Sequence, residues 1–302
     1  MTATTDGARL MTLATYASVA TACTLIVVKL AAWGMTGSVA LLSTLIDSTL
    51  DAAASLINLW AVRHALTPAD HEHRFGHGKA EPLAGLGQAA FILGSGGLLL
   101  AQAVNRLQHP VAVTNADIGT AVMVFSIVLT VVLVRFQKYV LERTSSVAIS
   151  ADSLHYTGDV LMNGAVIVSL LLGRFLGWTF ADPLFAIGIG AYLLWNAWAI
   201  MRNSMDMLMD RELPEEDRAR IRDITLGIPD VRGMHDLRTR LSGQQGFVQL
   251  HLALDDHLTL ARAHAIADQV EKAIVEAFPH CDVLIHQDPV SLHEDEPPFS
   301  RT

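Results

Sequence analysis

Two cysteines, Cys23 and Cys281, are all the chain has. They fall on different sides of any sensible membrane topology, so neither a disulfide framework nor a CxxC metal site is expected. Charge is scarce too: Asp, Glu, Lys and Arg make up 17% of the 302 residues against 51% hydrophobic ones, with a mean hydropathy of +0.37. That balance is too apolar for an ordinary soluble domain and indicates a polytopic membrane protein. No basic start and small-residue cleavage site precede the first apolar run, so no signal peptide is expected.

What is present in place of charge is length of apolar chain. A helix needs about 20 mostly apolar residues to cross a bilayer, and six stretches qualify: 10–33, 38–62, 83–105, 116–138, 147–173 and 178–201. Orientation follows from the short connections. Arg9, then Arg63, Arg74 and Lys79, then Arg135, Lys138 and Arg143 lie on one side; Arg106, Arg174 and Lys29, inside the end of the first span, lie on the other. The excess puts both termini in the cytoplasm. Glycines gather in the third span (GLGQAAFILGSGG) and the sixth (AIGIGAY). Small residues let helices approach closely in lipid, so these spans are expected to pack tightly, on each other or across a dimer.

The expected domains are a membrane part over 1–210, a soluble α+β part over 211–290 and a disordered tail over 291–302. From Arg211 onward there are 17 Asp and Glu against 10 Lys and Arg, with seven of the 13 histidines. Acidity argues against nucleic acid and suits cations. Pro214 with Glu215, Glu216 and Asp217 starts a helix. GMHDLRTRLSG and GFVQLHLALD read as strands around the turn SGQQG, TLARAHAIADQVEKAIVEAF as a helix capped by Thr259, and CDVLIHQD as a third strand. The order α-β-β-α-β predicts a small two-layer fold.

Against this background the second span holds LIDSTLDAAASL. Residues four apart share a helix face, so Asp47 and Asp51 point one way, with Thr44, Ser48, Ser55 and Asn58 near the same stripe. The fifth span repeats the pattern with His155 and Asp159, extended by Asp152 and Asn163. A charge at mid-bilayer costs about 2.5–3.5 kcal/mol on insertion scales, so groups kept there must meet something. Together Asp47, Asp51, His155 and Asp159 offer three oxygens and one nitrogen, a set that suits tetrahedral Zn2+. Cobalt, cadmium and ferrous iron fit the same ligand types, whereas calcium and magnesium prefer oxygen alone. The ligands also bind protons, so metal and protons compete for one site, with His155 the carrier near neutral pH. An intramembrane aspartyl protease takes one Asp from each of two helices, often in a GxGD string. Here two acids share a helix and the string is absent.

The connection PADHEHRFGHGKAEP offers Asp70, His73 and His77, with His71 and Glu72 as spare ligands. In the soluble part His235, His251, His264, His286 and Asp288 fall on predicted strands and the helix, while His257, His280 and His293 fit no pattern.

The strings DSTLD, HYTGD, FGHGKAE, HDLRTR and IHQDP together resemble the cation diffusion facilitator family, in particular its bacterial zinc and iron efflux branch. The resemblance runs from the first span to about Pro289. It implies a Y-shaped homodimer in the bacterial inner membrane, six helices per protomer, a metallochaperone-like cytoplasmic domain, and zinc/proton antiport by alternating access. It implies a transport site at Asp47, Asp51, His155 and Asp159, a loop site at Asp70, His73 and His77, and a binuclear site at His235, His251, His264 and His286 with Asp288 bridging. Lys79 and Asp210 match a charge pair at the dimer centre, and Leu154 a hydrophobic gate. Zinc is then both cargo and a structural or regulatory ion. The alternative from another class is a metal-sensing, channel-like protein that conducts without proton exchange.

Overall fold

The computed structural model describes residues 2–37, 39–108, 117–178 and 180–291. They form two compact units, Met1–Met205 and Asp206–Thr302. The first unit is helical: α1 (Thr2–Thr36), α2 (Val39–Ala65), α3 (Ala80–Gln108), α4 (Asp117–Thr144), α5 (Val147–Leu176) and α6 (Ala181–Leu208). All six are long and apolar enough to cross a membrane. They outrun the apolar stretches because polar ends such as the MRNSMDML of α6 hold no helix breaker and continue the same hydrogen-bonded spiral.

The turn between α4 and α5 is short. Ser145 takes a positive φ of 51°, and the Ser146 hydroxyl accepts from the Ile149 amide at 3.3 Å as the cap of α5. The buried Glu81 of α3 accepts from the Val147 amide at 3.0 Å, which puts an acid at the positive end of α5. At its other end α5 closes on Gly177, whose left-handed φ of 66° lets the Gly177 and Trp178 amides reach the Gly173 and Leu172 carbonyls. The third and sixth spans touch through side chains within the protomer. A methyl on Gly190 would come within 2.8 Å of Leu100, and one on Gly96 within 3.1 Å of Leu194, so each helix opens a notch for the other's leucine.

Asp152 departs from its expected stripe. It sits three residues before His155, roughly 60° away around the helix, and is fully enclosed. There Oδ2 accepts from Ser18 Oγ at 2.5 Å and Gln137 Nε2 at 2.7 Å, and Oδ1 accepts from Gln88 Nε2 at 3.2 Å. One carboxyl group thereby joins α1, α3, α4 and α5.

The second unit runs α7 (Glu215–Leu226), β1 (Gly233–Ser242), β2 (Gln245–Leu254), α8 (Leu260–Ala277) and β3 (Cys281–Pro289), the expected α-β-β-α-β order. Thr259 caps α8 by accepting from the Arg262 amide at 3.3 Å. The sheet order is β1-β2-β3, with β1 antiparallel and β3 parallel to β2. A parallel neighbour needs a crossover, which α8 supplies. Strand β2 buries Val248, Leu250, Leu252 and Leu254 against Ile221 of α7 and Ile266, Val270 and Ile274 of α8. Side chains alternate along a strand, so His251 is left on the opposite face. The tail expected to be disordered lies, from 292 onward, outside the described residues, as does His293.

Candidate metal centres

The first candidate centre lies inside the helical unit. His155 Nε2 of α5 is 2.9 Å from Asp51 Oδ1 of α2 and 4.0 Å from Asp159 Oδ2, one turn along its own helix. The three residues offer ligand atoms all within 4.8 Å of one another. Asp47 lines the same cavity of about 270 Å3, together with Phe91, Ser95 and Gly158, but stands outside this close group. Two of the polar residues expected on the α2 stripe turn elsewhere: Ser55 Oγ meets the Tyr156 hydroxyl at 2.9 Å, and Ser48 Oγ accepts from Lys29 Nζ at 2.6 Å. Lys29 escaped the sequence reading of this site because it counted only as a topology charge; its neighbour across the helix pair is invisible in spacing. Leu154 is buried with Ala89 and Ile92 of α3 and Leu193 and Ala197 of α6.

The second candidate is the α2–α3 connection. Asp70 Oδ1 accepts from the amides of His73 at 2.6 Å and Glu72 at 2.9 Å, a local turn that a short acid favours. These bonds, the one from His73 first, hold its carboxyl below the usual aspartate range, helped by the His77 and His73 charges. Gly76, at φ 76°, bends the chain so that the buried His77 comes back, its Nε2 3.3 Å from Asp70 Oδ2; His73 Nδ1 is 3.5 Å from Asp70 Oδ1. The spare candidates His71 and Glu72 are exposed and outside this group. His64, not singled out from sequence, stacks on Trp60 and brings its ring 4.5 Å from that of His77.

The third candidate is set by strand register. His235, His251 and His286 are successive cross-strand partners on β1, β2 and β3, with ring separations of 5.1 and 4.7 Å. Asp288, two residues beyond His286 and therefore on the same face, spans the row. Its Oδ2 is 3.4 Å from His235 Nε2 and 2.8 Å from His251 Nδ1, while Oδ1 is 3.1 Å from His286 Nε2. His264 is not gathered: on the exposed face of α8 it pairs with Asp268 at 3.7 Å. Asp236 was missed. A bulge between His235 and Arg238 puts it at φ 48° and turns its carboxylate to 3.8 Å from His251 Nε2, with the Arg238 guanidinium bound to both oxygens.

Lys79 lies in the first unit and Asp210 in the second, where Arg240 donates to the Asp210 carboxylate at 3.3 Å.

Comparison with known proteins agrees with this architecture. Residues 15–209 match the cation efflux transmembrane domain, and residues 213–290 match the cytoplasmic domain of cation efflux proteins. Together they define a multi-pass transport protein for divalent cations. The chain belongs to the cation efflux family, the cation diffusion facilitators. It is 48% identical over 284 residues to the cation-efflux pump FieF of Salmonella choleraesuis and to that of Salmonella typhimurium, covering 94% of this chain and 94% of each relative. A solved chain of CzrB is 33% identical over 26% of this chain and 96% of its own length, at a TM-score of 0.25.

Proposed function

We propose that the protein exports a divalent metal ion, Zn2+ first and Cd2+ or Fe2+ with it, in exchange for protons, by opening the Asp47, Asp51, His155 and Asp159 site to each side of the bacterial inner membrane in turn. The observation that carries this reading is the meeting of His155 with Asp51 at 2.9 Å, beside Asp159, from two apolar helices far apart in sequence. Three carboxylates and one imidazole suit zinc by ligand type, and Asp47 lines the same cavity one helical turn before Asp51. The same four groups take up protons when the metal leaves, so exchange needs no separate proton path. Leu154, packed beside His155, acts as an apolar gate.

In this reading residues 1–210 form the membrane domain and 211–290 a cytoplasmic domain, both termini are cytoplasmic, and two chains form a dimer with Lys79 and Asp210 pairing near its centre. Asp70, His73 and His77 hold an ion in the loop. His235, His251, His286 and Asp288 hold ions in the cytoplasmic domain, with Asp288 shared. The residues fit such a resident ion: His235 Nε2 is buried and makes no hydrogen bond among the described residues, so it can offer a lone pair to a cation. When bound, the ion ties three strands together. His264, on the exposed face of α8 and 3.7 Å from Asp268, is the further ligand of this set.

The test is uptake into proteoliposomes of zinc, cadmium, iron and manganese in parallel, with lumenal pH recorded and Asp51→Ala as control. Zinc flux matched by opposite proton movement and abolished by Asp51→Ala is expected. Zinc flux with a static lumenal pH indicates a channel and overturns the exchange reading.

A further inference from the structure

Lys29 lies in TLIVVKLAAW on α1, an apolar stretch in which an ammonium is expensive unless neutralised. Its Nζ donates to Ser48 Oγ at 2.6 Å and to the Thr44 carbonyl at 3.2 Å. Both acceptors are neutral, so they anchor the group without cancelling its charge. Ser48, buried, is the residue after Asp47 and one helical turn from Asp51's neighbours. The acids nearest along α2 are Asp47, one residue before the Ser48 that Lys29 grips, and Asp51, three residues after it, so the ammonium is tethered on the helix that carries two of the site's carboxylates.

The formal charges are informative. With a metal bound the ligands are three ionised carboxylates and a neutral imidazole, −3 in all, and Lys29 brings the assembly to −2. One divalent ion then cancels the whole, whereas a monovalent ion leaves a residual negative charge and a trivalent ion overshoots. Without Lys29 the neutral match is a trivalent ion, and a divalent ion is held by an uncompensated anion. In a low-dielectric site such a mismatch is felt strongly.

Resting on the four-residue transport site proposed above, we infer that Lys29 is a specificity-determining residue: a tethered cation, held off the ligands by Ser48 and Thr44, that matches the site to one divalent ion and keeps its grip loose enough for release. The competing account is a mechanical one, in which the lysine merely pins α1 to α2.

Two substitutions at the same contact separate these accounts because they move KM in opposite directions. In proteoliposomes loaded with a zinc-sensitive dye, Lys29→Met should lower KM for zinc about tenfold, the order expected for removing one nearby unit charge inside a protein. It should also lower the maximal rate and make La3+ an inhibitor, while Lys29→Arg keeps a KM close to that of the parent. Ser48→Ala frees the ammonium to fall onto the carboxylates and compete with metal, so its KM should rise. A mechanical pin predicts that both variants lose rate with KM unchanged, or shifted in one direction. That result overturns the inference, and should Lys29→Met not fold, an unchanged KM in Ser48→Ala does so alone. Asp51→Ala run alongside distinguishes failure of the site itself: if it still transports, the transport-site reading falls, whatever Lys29 does.

Discussion

At the scale of single residues, the side chains that spacing could find are those whose partners lie on the same helix or the same strand. His155 and Asp159 are four apart, and His286 and Asp288 two apart, so a helix and a strand respectively put each pair on one face. Lys29, Asp152 and Asp236 were not legible as partners. Lys29 and Asp152 depend on which helix lies alongside, and Asp236 on a bulge that no period announces. His264 stands on another element, the exposed face of α8, so spacing along the strands says nothing of it. One titration can be followed directly. Asp256 is held below the usual aspartate range by the Ser291 hydroxyl and then the Ser291 amide, which donates to Oδ1 at 3.0 Å. A depressed carboxyl contributes stability above its unfolded pKa of about 3.9 and loses it as pH falls through the lower folded value. Protection of the Ser291 amide in hydrogen exchange should therefore persist at pH 5 and disappear in strong acid. In Asp256→Asn the acid-dependent step should be absent.

Elements were more legible than sites. The six apolar runs, the Thr259 cap and the Pro214 start all follow from chemistry local to each segment, and tertiary packing did not override them. The sheet's register was not legible, because alternation assigns faces to each strand separately but not which residues stand opposite. Register is also what gives Gly246 its constraint. It is the partner of Cys281 on β3, and a methyl there would lie far inside contact distance of the Cys281 sulfur. Burial, and then the Asp217 charge, pushes that thiol above its ordinary pKa, so it stays a neutral packed group. Gly246→Ala should loosen the β2–β3 pairing by about 1–3 kcal/mol, the usual cost of overpacking. Faster hydrogen exchange across β2 in the full-length protein measures this. Adding Cys281→Ala should restore much of the loss, since the two sites are in contact and do not add.

At the scale of the whole molecule, the helical unit has few polar ties among its described residues, so each one carries weight. Without a hydrophobic force between helices in lipid, association rests on packing and on hydrogen bonds such as those converging on Asp152. Asp152→Ala leaves the Ser18 hydroxyl and the Gln88 and Gln137 amides without their common acceptor. Ser18 Oγ keeps the Ala14 carbonyl and Gln137 Nε2 keeps Ser18 Oγ, so Gln88 is the donor left stranded, at about 1–3 kcal/mol. The purified variant in detergent should unfold at a clearly lower temperature than the parent, while Asp152→Asn, which keeps an acceptor oxygen, should lose less.

The three histidines aligned across the sheet come from unequal moments of the chain's history. The first two imidazoles arrive on a hairpin, while the third, with the carboxylate that spans them, emerges only after α8. A polypeptide cut short before Cys281 keeps the hairpin pair yet has no anionic bridge. An ion bound across that rung would thus act as a seal of completeness, rewarding only a chain synthesised through to β3.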